Sequence, residues 1–168
     1  MIKRSRIYLA GPLGFSELGR AGQESLIQKL TALGYEVVAP FQLTPKEELT
    51  RIAGLPSLDT QRDAWRSMNF RIGETGRQAI DAYDGLLAVL DGVDADSGTP
   101  AESGYAFARR KPIVGYRGDF RLSADNLGSP VNLQVEYFIL ASGGSLITSL
   151  ATIGTAIVAA LEQSREGQ

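Results

Sequence analysis

The sequence predicts an α/β protein built as a doubly wound, Rossmann-like (flavodoxin-like) parallel sheet of about five strands with flanking helices. Two observations carry that expectation. Short apolar runs alternate with helix-length stretches along the 168 residues, and parallel neighbours need crossover helices between them. The run Gly85 to Leu90 is also apolar throughout, as a central strand must be when helices cover both its faces.

Taken in order, Ile7-Tyr8-Leu9-Ala10 is a short apolar run ended by Gly11-Pro12, and a helical stretch follows from about Ser16 to Leu33 with Leu26, Ile27 and Leu30 on one face. Gly34 is a helix stop, and Glu36 to Ala39 reads as a second strand ended by Pro40. Residues 40 to 60, with Pro45, Gly54 and Pro56, read as a long loop that covers something. A helical region from about Asp59 to Tyr83, broken near Gly73 and Gly76, leads into the Gly85 strand. Asp91 to Gly98 is an acidic loop, Pro100 to Arg110 a helix and Pro112 to Tyr116 a fourth strand. A polar loop from Arg117 to Pro130 precedes a short helix around Val131 to Leu140, an edge strand at Leu146 to Thr148 and a last amphipathic helix ending near Gln163. No linker or repeat divides residues 1–168, so a single domain is expected.

Composition narrows the chemistry. With 17 basic and 19 acidic residues the formal charge is −2, and 43% of residues are hydrophobic, a globular balance that does not suit a nucleic-acid surface. The chain has no Cys and no His, which excludes disulfides, thiolate nucleophiles, imidazole acid/base catalysis and zinc sites with nitrogen or sulfur ligands. Chemistry must therefore run on carboxylates, hydroxyls, amides, Lys, Arg and backbone. The basic start Met1 to Arg6 is not followed by an apolar leader core, and the longest apolar stretch, Ile153 to Leu161, is too short to span a bilayer. A soluble, cytoplasmic protein with no membrane partner is the expectation.

Ligands of such sheets bind outside the carboxyl ends of the strands, which selects Gly11 to Ser16, Pro40 to Gln42, Asp91 to Glu102 and Arg117 to Asn132. The segment Asp91 to Gly104 is the most informative of these. In its plain reading Thr99 is an N-cap, Pro100 the first helical residue and Glu102 the third, a capping box that leaves Glu102 purely structural. In its functional reading, Asp91, Asp94, Asp96 and Glu102 follow the most buried strand, and Ser97-Gly98 and Ser103-Gly104 leave little bulk around Glu102. A carboxylate in the first helical turn keeps a low pKa. That suits a nucleophile attacking an anomeric carbon.

Tyr8 is either a half-buried strand residue or a hydroxyl that reaches the crevice and bonds a carboxylate. Gly11-Pro12-Leu13-Gly14-Phe15-Ser16 is a weak phosphate loop, lacking a Walker Lys and carrying Glu17 at the helix start. Phe41-Gln42 offers an aromatic face and a bidentate amide for a planar heterocycle, or is simply loop. Asp119 to Asn126 and Asn132 read as a polar loop with an N-capping asparagine.

In order, Ile7-Tyr8-Leu9-Ala10-Gly11-Pro12, then Asp96-x-Gly98-Thr99-x-x-Glu102-x-Gly104-Tyr105-Ala106, Lys111-Pro112, Asp119-x-Arg121 and Asn132-Leu133 resemble the nucleoside 2-deoxyribosyltransferase family over about residues 6 to 145. The resemblance implies a cofactor-free enzyme, with no metal, that exchanges the base of a 2'-deoxynucleoside by a retaining, ping-pong route. Its partners are then nucleosides and free nucleobases. By position, Glu102 matches the family's nucleophile, Tyr8 the tyrosine that orients it and Asp96 the aspartate that handles the base proton. Asn132 matches an asparagine lent to a neighbouring subunit's site, which implies a dimer-based homo-oligomer. Gln42 aligns loosely with a base-contacting glutamine, and Gly11, Phe15, Asp94, Ser97 and Gly98 complete the expected substrate-binding set. Where family members often carry a second base-contacting aspartate this chain has Gly76, so the proton relay falls to Asp96 with Asp94 or Asp91. The rival readings are hydrolysis of nucleosides or deoxynucleoside 5'-monophosphates by the same core motif, and a non-catalytic nucleoside sensor.

Overall fold

A computed structural model describes residues 4–122 and 124–166. Part of the basic start, Met1 to Lys3, and Ser123 of the polar loop lie outside the described residues. The strands are β1 (Arg6–Ala10), β2 (Glu36–Val38), β3 (Gly85–Val89), β4 (Ile113–Tyr116) and β5 (Leu146–Ile147), with helices α1 (Glu17–Ala32), α2 (Lys46–Ala53), α3 (Leu58–Ala82), α4 (Gly98–Ala108), α5 (Leu133–Ala141) and α6 (Ile153–Glu166). The five strands form one parallel sheet in the order β2-β1-β3-β4-β5. This is the doubly wound architecture the alternation predicts.

Side chains alternate across a strand, and here each face buries its own core. Ile7, Leu9, Leu87 and Val89 pack with Leu26 and Leu30 of α1 and Ile153 and Ile157 of α6. Tyr8, Ala10, Leu86 and Ala88 face the other way, onto Ile80 of α3, Ala106 of α4 and Val135 and Ile139 of α5. Gly34, at φ +95, ends α1 in the left-handed region that favours glycine.

Two expectations are corrected. The predicted loop 40–60 holds a 3₁₀ turn, Pro40–Gln42, and α2. Glu47 and Glu48 in the first turn and Arg51 in the last complement that helix's dipole, and fully buried Ile52 anchors it. The region from Asp59 to Tyr83 is one unbroken helix of 25 residues, started by Ser57, whose hydroxyl accepts the Thr60 N–H at 3.2 Å. Gly73 and Gly76 do not break it, because a lone helical glycine costs only about 1 kcal/mol and α3 recovers more through Met68 and Ile80, both buried.

Among the described residues no helix is long and apolar enough to cross a membrane. Leu87, fully buried at the centre of the sheet, sets a test of the core. Leu87→Ala should cost about 2 to 5 kcal/mol, read as a lower urea midpoint with an unchanged slope.

Candidate active site

The sheet order places the carboxyl ends of β1 and β3 side by side, with Tyr8 opposite Leu86 and Ala10 opposite Ala88. Gly11 closes this junction: a Cβ there would stand 2.8 Å from the Val89 Cβ. Tyr8 is fully buried, and its hydroxyl donates to Glu102 Oε1 at 2.6 Å across 94 positions of sequence. The hydroxyl thus reaches a carboxylate, the second of the two readings its position allowed.

Glu102 is not a helix cap. α4 begins at Gly98, two residues earlier than the capping-box reading needs, so Glu102 is its fifth residue and lies beyond the first turn. Asp96 caps instead: its carbonyl accepts the Thr99 N–H at 3.0 Å and its Oδ2 the Gly98 N–H at 3.2 Å. The expected low pKa of Glu102 is overturned for the same reason. Burial pushes the carboxyl above the usual glutamate range, the Tyr8 hydrogen bond pulls it back, and the Asp96 charge pushes it further up. Burial and the Glu102 charge raise Tyr8 in turn, so it remains a protonated donor.

A cavity of about 330 Å³ opens onto Glu102, within the range of small-molecule sites. Asp96, Gly98, Thr99 and Glu102 form one wall, and Gly11, Phe15, Pro40 and Phe41 another. Phe15 and Phe41 meet edge to face, their centroids 4.9 Å apart. Thr44, Leu49, Trp65 and Ile72 close the far side from the α2 and α3 region. Thr99 is 1% exposed, and its hydroxyl has no hydrogen-bond partner among the described residues. Gly98 leaves room beside the acid, since a Cβ there would come within 3.1 Å of Asp96 Oδ2.

Of the expected site residues, Tyr8, Gly11, Phe15, Asp96, Gly98 and Glu102 converge here. Others do not. Gln42 turns its amide oxygen onto the Ala39 N–H at 3.0 Å, capping the 3₁₀ turn and not facing the cavity. Ser97 is exposed and does not line it. Asp94 and Asn132 line a different cavity of about 310 Å³ with Val93, Leu122 and Asp125. Asn132 caps α5, its side chain accepting the Gln134 and Val135 N–H groups while its amide donates to Asp125 at 3.1 Å. Asp91 accepts the Gly118 and Asp119 N–H groups at 2.6 and 2.8 Å. The small residues after Glu102 serve packing rather than access: Ser103 bonds the Thr99 carbonyl at 2.8 Å, and Gly104 lies against Phe138.

Trp65, Ile72, Leu49 and Thr44 are the residues sequence reasoning missed. The spacing of Trp65, Met68 and Ile72 along one helical face could have found the α3 wall. Among the described residues no cluster of acidic side chains is placed to hold a metal ion.

The fold and this carboxylate-floored cavity define a class first, that of doubly wound α/β proteins whose site lies at the carboxyl edge of a parallel sheet. Residues 7–134 match the model of the nucleoside 2-deoxyribosyltransferase family, and the chain belongs to that family. A protein of Schizosaccharomyces pombe is 30% identical over 127 residues, which are 73% of this chain and 54% of that protein. The chain thus spans about half the length of that relative. In structure it is similar to a 2-deoxyribosyltransferase from Bacillus psychrosaccharolyticus, with a TM-score of 0.60 at 20% identity over 94% of this chain and 96% of the other. It is also similar to a CMP N-glycosidase from Clostridium botulinum, with a TM-score of 0.52 at 17% identity over 95% and 97% of the two chains. At these identities the two structures show the shared fold.

Two predictions follow from the geometry. A carboxyl raised by burial binds its proton more tightly in the folded chain, so stability falls as pH rises from the ordinary glutamate range through the raised value. Glu102→Gln should therefore melt higher than the parent at pH 8 and not at pH 4; equal melting at both would show that burial does not penalise the charge. At Gly14 a Cβ would fall 1.9 Å from Phe41 Cδ2. Gly14→Ala must displace that ring from the cavity wall, and in a ligand titration it should weaken binding more than it lowers melting temperature.

Proposed function

We propose that this chain is a glycosyltransferase that exchanges the base of a 2'-deoxyribonucleoside, with Glu102 as the nucleophile. The observation that carries the reading is the 2.6 Å hydrogen bond from Tyr8 to Glu102 Oε1, at the floor of a cavity that Asp96 also lines. Tyr8 holds one carboxylate oxygen and leaves the other to attack C1'. The C1'–N bond breaks with its electron pair leaving on the base, which Asp96 protonates, and a glycosyl ester forms on Glu102. A second base then attacks C1' and gives up its N–H proton to the Asp96 carboxylate, the ester oxygen returns to Glu102 as carboxylate, and two inversions give net retention.

The walls support a nucleoside in preference to a nucleotide. Phe15, Phe41 and Trp65 offer flat apolar faces to a heterocycle, whereas the charged lining residues are the acids Asp96 and Glu102. A 5'-phosphate would meet two carboxylates and, among the described residues that line the cavity, no counter-charge. Water as acceptor is the second reading, favoured by the exposure of Phe15 at the cavity mouth, 69% accessible. In this scheme Asn132, which lies off the cavity of its own chain, serves a neighbouring copy in a homo-oligomer. A fully active monomer in sedimentation would remove that part.

The deciding experiment incubates the protein with deoxyinosine and adenine. Transfer yields deoxyadenosine in proportion to adenine, whereas hydrolysis yields free deoxyribose at a rate independent of it. If neither product forms, the proposal is overturned. Glu102→Ala should abolish both while leaving the fold intact. Because the attacking carboxylate must be ionised, the acid limb of kcat/KM should lie above the ordinary glutamate range. Tyr8→Phe, which removes the bond that pulls the carboxyl down, should move that limb higher still.

A further inference from the structure

A second cavity, of about 250 Å³, lies at the opposite edge of the sheet. Asp84 and Pro112 contribute to its lining and immediately precede β3 and β4. The strand β3 is five residues long, so it separates this cavity from Glu102 by about 17 Å. Four cations surround it, Arg109, Arg110 and Lys111 after α4 and Arg165 near the end of α6, against the single carboxylate of Asp84.

Basic residues at helix C-termini are ordinary, since they offset the dipole. Three details exceed that explanation. The Asp84 carboxylate is already engaged by the Arg6 N–H at 2.7 Å. Among the described residues, no carboxylate pairs with the guanidinium of Arg110 or of Arg165. Arg110 also has φ +56, in the left-handed region. The Lys111 N–H bonds the Ala106 carbonyl and the Arg110 N–H the Phe107 carbonyl, both at 2.9 Å. That is a Schellman ending, with Arg110 at the position glycine ordinarily fills. Arg109 pairs with Asp81 at 2.7 Å and the Lys111 ammonium bonds the Asp81 and Tyr83 carbonyls at 2.9 and 2.6 Å, but an arginine held at steric cost in the turn, with Arg165 beside the same cavity, is placed for a ligand rather than for the turn.

We propose that this cavity binds the phosphate groups of a small oligophosphate, with Arg110 and Arg165 as the principal charged contacts and Lys111 beside them. Planar guanidinium groups suit bidentate contact with phosphate oxygens. Two sources share this chemistry, free pyrophosphate and the diphosphate tail of a nucleotide.

The test is calorimetric titration of the full chain with pyrophosphate and, separately, with a nucleoside diphosphate, at ionic strength held constant with sodium chloride. Saturable binding of pyrophosphate is expected. Arg110→Gly removes the charge while relieving the backbone, so this variant should melt no lower than the parent yet bind about tenfold more weakly. Arg165→Gln should weaken binding similarly. Tighter binding of the nucleotide, lost equally in Arg110→Gly, would identify a nucleotide tail as the ligand, and equal affinities would identify the phosphate groups alone. No saturable binding of either ligand, or binding that survives both substitutions, would overturn the proposal.

Discussion

The parallel pairing of β1 with β3 is the constraint on which the rest of the site depends. The chain leaves β1 for the edge strand β2 and then returns past β1 to form β3, so the two carboxyl ends abut where the winding reverses. Tyr8 enters at that junction from β1 and Glu102 from α4, the helix that follows β3. A one-residue slip of β1 would turn Tyr8 to the α1 and α6 face and lose the contact. The register, from Ile7 opposite Gly85 to Ala10 opposite Ala88, is pinned by apolar side chains on both faces. Packing that stabilises the sheet therefore also fixes the 2.6 Å distance.

Burial at the floor of a largely apolar cavity disfavours the Glu102 charge, and the Tyr8 hydroxyl offsets part of that cost. A carboxylate held this way is poorly solvated and restricted in orientation, and both properties favour attack on an electrophilic carbon. Leu49 of α2 and Trp65 and Ile72 of α3 form the far wall of that cavity. Glu48 of α2 pairs with Arg71 of α3, and Ile52 is fully buried, so α2 is fastened to the long helix and does not flap over the site as a free loop.

Strands were legible because a doubly covered sheet needs apolar runs: Ile7 to Ala10 and Gly85 to Leu90 have no other plausible use in a globular chain. The topology rule alone selected the segment that holds Asp96 and Glu102, both of which line the cavity, whereas Tyr8 lies inside β1, outside the segments that rule selects, and came forward through the family resemblance. The site was illegible where a local pattern had two physical solutions. Thr99-Pro100-x-Glu102 spells a capping box, but Asp96 captures the Gly98 and Thr99 N–H groups first and starts the helix two residues early. Gln42 carries an amide suited to a heterocycle, and the Ala39 N–H takes it. Pro45, Gly54 and Pro56 punctuate residues 40 to 60 as a loop would, yet Pro45 and Gly54 flank α2 and Pro56 stands just ahead of α3.

The acidic run after β3 is a further case in which equivalent residues receive different tasks from their surroundings. Asp91 binds the backbone N–H groups of Gly118 and Asp119, fastening the end of β3 to the end of β4. Arg117, 2% exposed, bonds the carbonyls of Leu90, Gly92 and Arg121, a cation placed among backbone dipoles. Between them they clamp both ends of the Leu90–Gly92 turn, so the chain from Val93 onward starts from a fixed point. Asp96 then uses its own carbonyl and one carboxylate oxygen to begin α4, and those bonds aim it at the cavity while setting the phase of the helix. Because Glu102 lies six residues on, that phase decides which way it points. The aspartate beside the candidate nucleophile thus also orients it through the helix it starts, and a substitution at Asp96 acts on the direction of Glu102 as well as on the cavity wall.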